Sequence, residues 1–266
     1  MTGVRLYFRY LGVSFRSQLQ YPASFIMMTV GHLVVTAIEF FGLWALFDRF
    51  GSLRDWALAE VALFYGMVHV AFAIAEAAAR GFDVLHRHVR TGDFDRILLR
   101  PRSTVLQVMG LEFQLMRIGR FTQGFVVLIW GISKVGIVWT LPKYLLMALS
   151  ILGGCFLFVG LFVLQAVLSF WSVDSLEVVN LTTYGGVETA KVPIAIYKGW
   201  FRRFFTWIIP LATINYFPLM AVLDHQDPLN TPLWLSWLSP FFGIAFFTMS
   251  LQVWKMGLKY YHSTGS

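Results

Sequence analysis

Six apolar runs, each close to the length that crosses a bilayer, follow one another along this chain and dictate what it can become. A transmembrane helix needs about 20 apolar residues. Runs of that kind occupy residues 23–47, 57–79, 118–140, 144–171, 204–223 and 233–256. A water-soluble fold of 266 residues could not hide them all, so lipid must be part of the solvent. The expected fold class is an all-α membrane protein with six transmembrane helices.

Composition agrees. Charged residues make up 13% of the chain, against about 25% in a soluble domain. The many Trp and Tyr residues suit rings that anchor at membrane interfaces. Residues 1–20 precede the first run and read differently. Arg5, Arg9 and Arg16 can share one helical face, with Leu6, Phe8, Leu11, Phe15 and Leu19 among them. This pattern predicts a basic amphipathic helix lying in the membrane surface and ending at Tyr21-Pro22. Two segments result, 1–22 and 23–266. No cleavable signal peptide is expected, because the start is polar and the first run is too long for a signal core.

The basic residues orient the runs. With the N-terminus in the cytoplasm, all of the 21 Lys and Arg residues except Arg49, Arg54, Lys134 and Lys143 fall inside. That bias predicts cytoplasmic termini and two large cytoplasmic loops, 80–117 and 172–203. The net charge of +7 is therefore a membrane-topology signal, and no nucleic-acid partner is expected. The loops on the other side, 48–56, 141–143 and 224–232, are short. Pro210, Pro218, Pro228, Pro232 and Pro240 crowd the last two runs and predict broken or re-entrant helices there.

Several chemistries lack their motifs. There is no Walker A loop, no Gly-x-Ser-x-Gly elbow and no His-Glu-x-x-His pair. Cys155 is a single cysteine in an apolar run and reads as a core residue. His86 and His88 near Asp83 read as solvated loop residues, and no metal is expected.

The loop after the second run is more informative. Residues 90–101 alternate charge with apolar groups, with Gly92 before them and Pro101 after. Ile97, Leu98 and Leu99 form an apolar knob between charged flanks, a pattern suited to docking on another protein.

Thr91-Gly-Asp-Phe-Asp-Arg-Ile-Leu-Leu-Arg-Pro-Arg102 resembles the loop signature of a branch of the ABC-2-type transporter permeases. So do Phe170-Trp-Ser-Val-Asp-Ser-Leu-Glu177, Pro193-Ile-Ala-Ile-Tyr197, Ile208-Ile-Pro-Leu211, Asn215-Tyr-Phe-Pro218 and the tail from Gly257 to Ser266, in that order. The resemblance implies a six-span half-transporter of the type V exporter-like fold, in a bacterial plasma (inner) membrane. It implies pairing with a second permease, identical or paralogous, and two separate ABC ATPase subunits beneath. ATP and Mg would be held by those subunits, with no cofactor on this chain. Residues 1–20 would be the connecting helix, and 172–199 a second ATPase contact. Asp93, Phe94, Asp95, Arg96, Ile97, Leu98, Leu99 and Arg100 would form the ATPase-coupling segment.

Ionisable residues within spans are functional candidates by default. His32 and Glu39 stand seven residues apart, as do His69 and Glu76, so each pair shares a helix face. A His-Glu proton relay or a cation site is one reading; structural contacts between helices are the other. Glu76 has Arg80 one turn on, a spacing that favours an ion pair. Glu39 has no cation near it in its own span, which makes it a candidate for lining a substrate path. Phe40, Phe41, Trp44, Trp207, Tyr216 and Phe217 either stack on a planar or cationic substrate or pack and anchor in lipid. Two other classes compete with the ATP-driven exporter: a secondary transporter run by an ion gradient, and a non-transporting membrane scaffold or sensor.

Overall fold

The computed structural model describes residues 3–171, 176–225 and 232–263, and among them the regular structure is helical, with no strand. Residues 172–175 of the 170–177 motif, the middle of the 224–232 loop with Pro228, and the last three tail residues lie outside the described residues.

The chain opens with α1 (Gly3–Leu19), then α2 (Pro22–Phe50) and α3 (Leu58–Asp83). Pro22 starts α2, where its fixed φ costs nothing and no N–H is needed. Gly51, at φ 76°, ends it and donates its N–H to the Phe47 carbonyl at 2.7 Å. Glu60 caps α3 by accepting the Ala57 N–H at 2.8 Å. Three short helices follow: α4 (Leu85–Arg90), α5 (Asp93–Leu98) and α6 (Thr104–Met109). Then come the long α7 (Ile118–Lys134) and α8 (Leu141–Leu168). The third span therefore stops at Lys134 rather than 140. Trp139 Nε1 donates to the Ile132 carbonyl at 3.1 Å and folds the linker back.

The centre of the molecule is α3, buried continuously from Val61 to Ala73 between α7 and α8. On its other flank α8 crosses α12 (Leu233–Gly257). Gly153 and Gly243 face each other at that crossing, and a Cβ on either would collide with backbone of the opposite helix. Small residues at a crossing let two membrane helices approach this closely. Pro240 sits inside α12, which continues through it. By contrast α2 buries only Thr36 and Phe47 and leaves most of its apolar surface open.

Among the described residues, five helices are long and apolar enough to cross a membrane: α2, α3, α7, α8 and α12. The sixth crossing is not where the apolar run 204–223 placed it. After α9 (Leu176–Ala190) the chain reaches Ile196, whose carbonyl accepts from Arg54 Nη1 at 3.0 Å, in the linker between α2 and α3. It then forms α10 (Gly199–Arg203) with a π-helical turn to Ile208, bends by 66°, and returns through α11 (Tyr216–Leu223). At the bend, Asn215 Nδ2 donates to the Ala190 carbonyl. At the end, Asp224 pairs with Lys143 at 2.6 Å and His225 with Glu60 at 2.6 Å. Both ends of 199–223 thus lie on the face where α3 and α8 begin, and its middle dips inward: it is a re-entrant hairpin, not a span. The helix that joins the two sides of the bundle at this point is α9.

This corrects the expectation of one loop from 172 to 203 on the same side as 80–117. Lys198, Arg202 and Arg203 lie near the far face, and Lys191 lies within the bundle. The hydropathy of the sequence favoured the hairpin because α9 is the more polar of the two. Its Thr182, Thr183, Tyr184, Glu188 and Thr189 are unsuited to lipid, and Tyr184 and Glu188 find protein partners instead.

Both described ends of the chain meet the end of α3 and the 80–117 segment on one face. Tyr7 donates to the Ala78 carbonyl at 3.0 Å, and Gln18 Oε1 accepts the Leu115 N–H at 2.9 Å. Trp254, near the end of α12, donates to Thr104 Oγ1 at 3.2 Å.

Candidate functional site

Two charge clusters occupy the seam between α2, α3, α7 and α9. The first centres on Glu76, which is fully buried about 10 Å from the end of α3. A carboxylate there is tolerable only if paired. Arg117 Nη2 lies 2.9 Å from its Oε1, Arg120 Nη1 3.1 Å from its Oε2, and Arg80 Nη1 3.5 Å from its Oε1. Tyr184 of α9 donates to Glu76 at 3.3 Å and accepts from Arg80 at 2.8 Å. Arg80 also pairs with Asp83, whose other oxygen accepts from Gln165 at 2.7 Å. The Glu76–Arg80 pair expected from spacing is present, as one part of a seven-residue network. His32 joins this cluster, with Nε2 3.5 Å from Arg117 Nη1.

The second cluster lies deeper. Glu39 and His69 each sit eleven residues from the far end of their helix, about 16 Å along its axis. His69 Nε2 is 4.0 Å from Glu39 Oε2. Lys191, just past α9, donates to Glu39 Oε2 at 2.8 Å and to Glu188 Oε1 at 2.5 Å. Its ammonium also lies 5.7 Å from the centre of the Tyr65 ring. Tyr65 stacks on His69 with ring centres 4.1 Å apart and donates to the Thr36 carbonyl at 2.9 Å.

The structure therefore splits both sequence pairs. His32 stands with Glu76 near one face, and Glu39 with His69 near the middle. Neither helix carries a His-Glu relay along its own face. The partners that matter come from other helices: Arg117, Arg120, Tyr184, Glu188 and Lys191. Only Glu188 and Lys191 left a trace in the sequence, as an ion-pair spacing inside a segment read as a loop.

The coupling segment divides into an inner and an outer side. Gly92, at φ 74°, makes the turn into α5, and Thr91 Oγ1 donates to Asp93 Oδ2 at 2.8 Å. Phe94 is buried against Phe170, Trp254 and Tyr261. Ile97 is buried as well, which removes it from the expected docking knob. Asp95 also points inward, accepting from Tyr261 at 2.9 Å and Ser263 at 2.6 Å. Burial and that hydrogen bond push the Tyr261 phenol up to about 12, so it remains a donor at neutral pH. Asp93, Arg96, Leu98, Leu99 and Arg100 stay at the surface, and Leu99 is 84% exposed.

A bundle of apolar crossings, a buried charged seam and an exposed knob on short helices define a multi-pass membrane protein of the transport class. The family model described as ABC-2 family transporter protein matches residues 33–265, and the chain belongs to that family. Such permeases are membrane components without an ATPase of their own, and the family implies ABC ATPase partners. No curated protein and no solved structure matches the chain.

Proposed function

We propose that this chain is the membrane half of an ATP-driven exporter of a bacterial plasma membrane. The face carrying α4 to α6 is the cytoplasmic one, so both termini are cytoplasmic and α1 lies along the membrane surface. Two separate ATPase subunits dock there, against Leu98, Leu99 and the charges of Asp93, Arg96 and Arg100. A second permease, identical or paralogous, covers the face between α2 and α9. Glu188 on that face is 65% exposed, and a charged group at such depth is unsuited to lipid. The charged seam then borders the substrate path, and substrate leaves the cytoplasm along it.

The observation that carries this reading is the exposure of Leu99 beside a charged rim, on a segment anchored from within by Phe94 and Asp95. An exposed leucine on a firmly held short helix suits insertion into a partner's cleft. The test is charge reversal at Arg96, which is 81% exposed and pairs only loosely with Asp93 at 3.6 Å. In the reconstituted complex, Arg96→Glu is expected to leave ATP hydrolysis running while substrate movement stops. Full ATP-coupled transport by that variant would refute the docking assignment.

A further inference from the structure

Lys191, Glu39, Glu188 and His69 form a site whose charges do not balance. One ammonium serves two carboxylates, at 2.8 Å and 2.5 Å. His69 adds nothing to the donor side. Its side chain is almost wholly buried, it aims Nε2 at Glu39 from 4.0 Å, and neither ring nitrogen has a hydrogen-bond partner among the described residues. A buried histidine left so within a membrane costs free energy unless something else completes it. The cluster therefore carries an excess of one negative charge about 16 Å from the helix ends.

That excess is reachable. The Lys191 side chain is 10% exposed, but Glu39 is 37% exposed and Glu188 65%. The carboxylates thus face open space while the cation sits behind them. Aromatic surface lies alongside at the half-buried Phe40, which packs edge-on against Tyr65, itself buried and stacked on His69. Carboxylates at an aromatic wall recognise an ammonium or a delocalised cation through charge and ring quadrupole together. The Glu76 cluster offers no such opening, since its carboxylate is fully buried under arginines.

We infer that the Glu39–Glu188–Lys191–His69 cluster is a recognition site for an organic cation, the positively charged head of an amphipathic substrate. The inference rests on the reading of the seam as the substrate path and adds the chemical class of what travels along it. Lys191 is a positioning residue here. It holds the two carboxylates together and weakens their pull on a cation, so removing it leaves a stronger cation site.

The test is equilibrium binding of ethidium to the full chain in phosphatidylcholine nanodiscs. Wild type is expected to bind saturably, with displacement by tetraphenylphosphonium. Glu188→Gln is expected to weaken binding about tenfold and Lys191→Gln to tighten it about threefold, following the one-charge change in each. Tightened binding cannot come from a damaged fold, and Glu188 is exposed enough to be replaced safely. The uncharged probe pyrene should bind all three proteins alike.

Three outcomes would overturn the inference: no saturable ethidium binding, shifts of the same sign in both variants, or pyrene following the same pattern. Saturable binding of rubidium without ethidium binding would assign the site to an inorganic cation and also overturn it. The measurement uses the permease chain alone. Failure of ATPase coupling in the Arg96 variant, with ethidium binding intact, would sink the exporter reading and not this one.

Discussion

Glu39 Oε2 and Lys191 Nζ lie 2.8 Å apart although 152 residues separate them in the chain. The contact ties α2, which buries few side chains of its own, to the segment just past α9. A pair that bridges two weakly held elements contributes to their placement as well as to local charge balance. Glu39→Ala and Lys191→Ala are therefore expected to be non-additive, with a coupling energy of about 1–2 kcal/mol. The measurement is the unfolding midpoint in detergent, read by reaction of a thiol dye with Cys155. Strict additivity would mean the contact contributes nothing.

Glu76 should matter far more to stability than Glu188. Removing one member of a buried ionic network leaves its partners unpaired and costs about 3–5 kcal/mol. Glu76→Gln strands Arg117 and Arg120, whereas Glu188→Gln loses a pair worth at most about 1 kcal/mol, because Glu188 faces outward. The same dye assay compares them, and equal midpoints would contradict the burial argument.

The crossing of α8 and α12 has no room for a side chain. Gly153→Leu or Gly243→Leu is expected to cost at least about 2 kcal/mol by overpacking. Gly136 has no described residue near its vacant Cβ position, so Gly136→Ala serves as the control and should be neutral. Yield of monodisperse protein on gel filtration would show the difference.

Within the coupling segment, burial predicts opposite phenotypes for neighbours. Phe94→Ala empties a packed ring site and should cost about 3–5 kcal/mol. Leu99→Arg should leave the unfolding midpoint unchanged and abolish co-purification with the ATPase partner. An unfolding loss at Leu99 would mean that it packs inward instead.

The Tyr261–Asp95 contact sets a pH limit. The phenol is raised from 10 to about 12, so the folded chain binds its proton more tightly than the unfolded one. Its stabilising contribution is complete below pH 10 and is lost as pH rises through about 12. Tyr261→Phe should remove that alkaline limb from the unfolding midpoint measured between pH 8 and 12. An unchanged limb would place its cause elsewhere.

Spans one to four and six were legible because each is an uninterrupted apolar run, and hydropathy reports the side facing lipid. The fifth was misread for the same reason. α9 carries Thr182, Thr183, Tyr184, Glu188 and Thr189, and its solvation comes from Arg80, Glu76 and Lys191 rather than from lipid. The re-entrant hairpin is more apolar than the helix that crosses. Glu39, His69, His32 and Glu76 stood out as ionisable groups in spans, yet their grouping was hidden. Helical periodicity relates residues on one helix, and the contacts here run between helices. In the coupling segment, charge alternation located α5. It did not say that Asp95 and Ile97 turn inward, because the residues that hold them, Tyr261 and Gln107, lie elsewhere in the chain.

The polar character of α9 bears on the order in which the protein can be assembled. Domains and segments emerge from the ribosome N-terminal part first. Glu39, His69, Glu76, Arg80, Arg117 and Arg120 are all synthesised before Glu188 and Lys191. α2 is apolar enough to rest alone in the bilayer while it waits. By the time α9 is made, Arg80 and Glu76, which hold its Tyr184, and Glu39, which takes up Lys191, are already in place. A helix this polar is thus delivered after α2, α3 and α7, to a site prepared by its predecessors, and reordering the chain by circular permutation would deprive it of that reception.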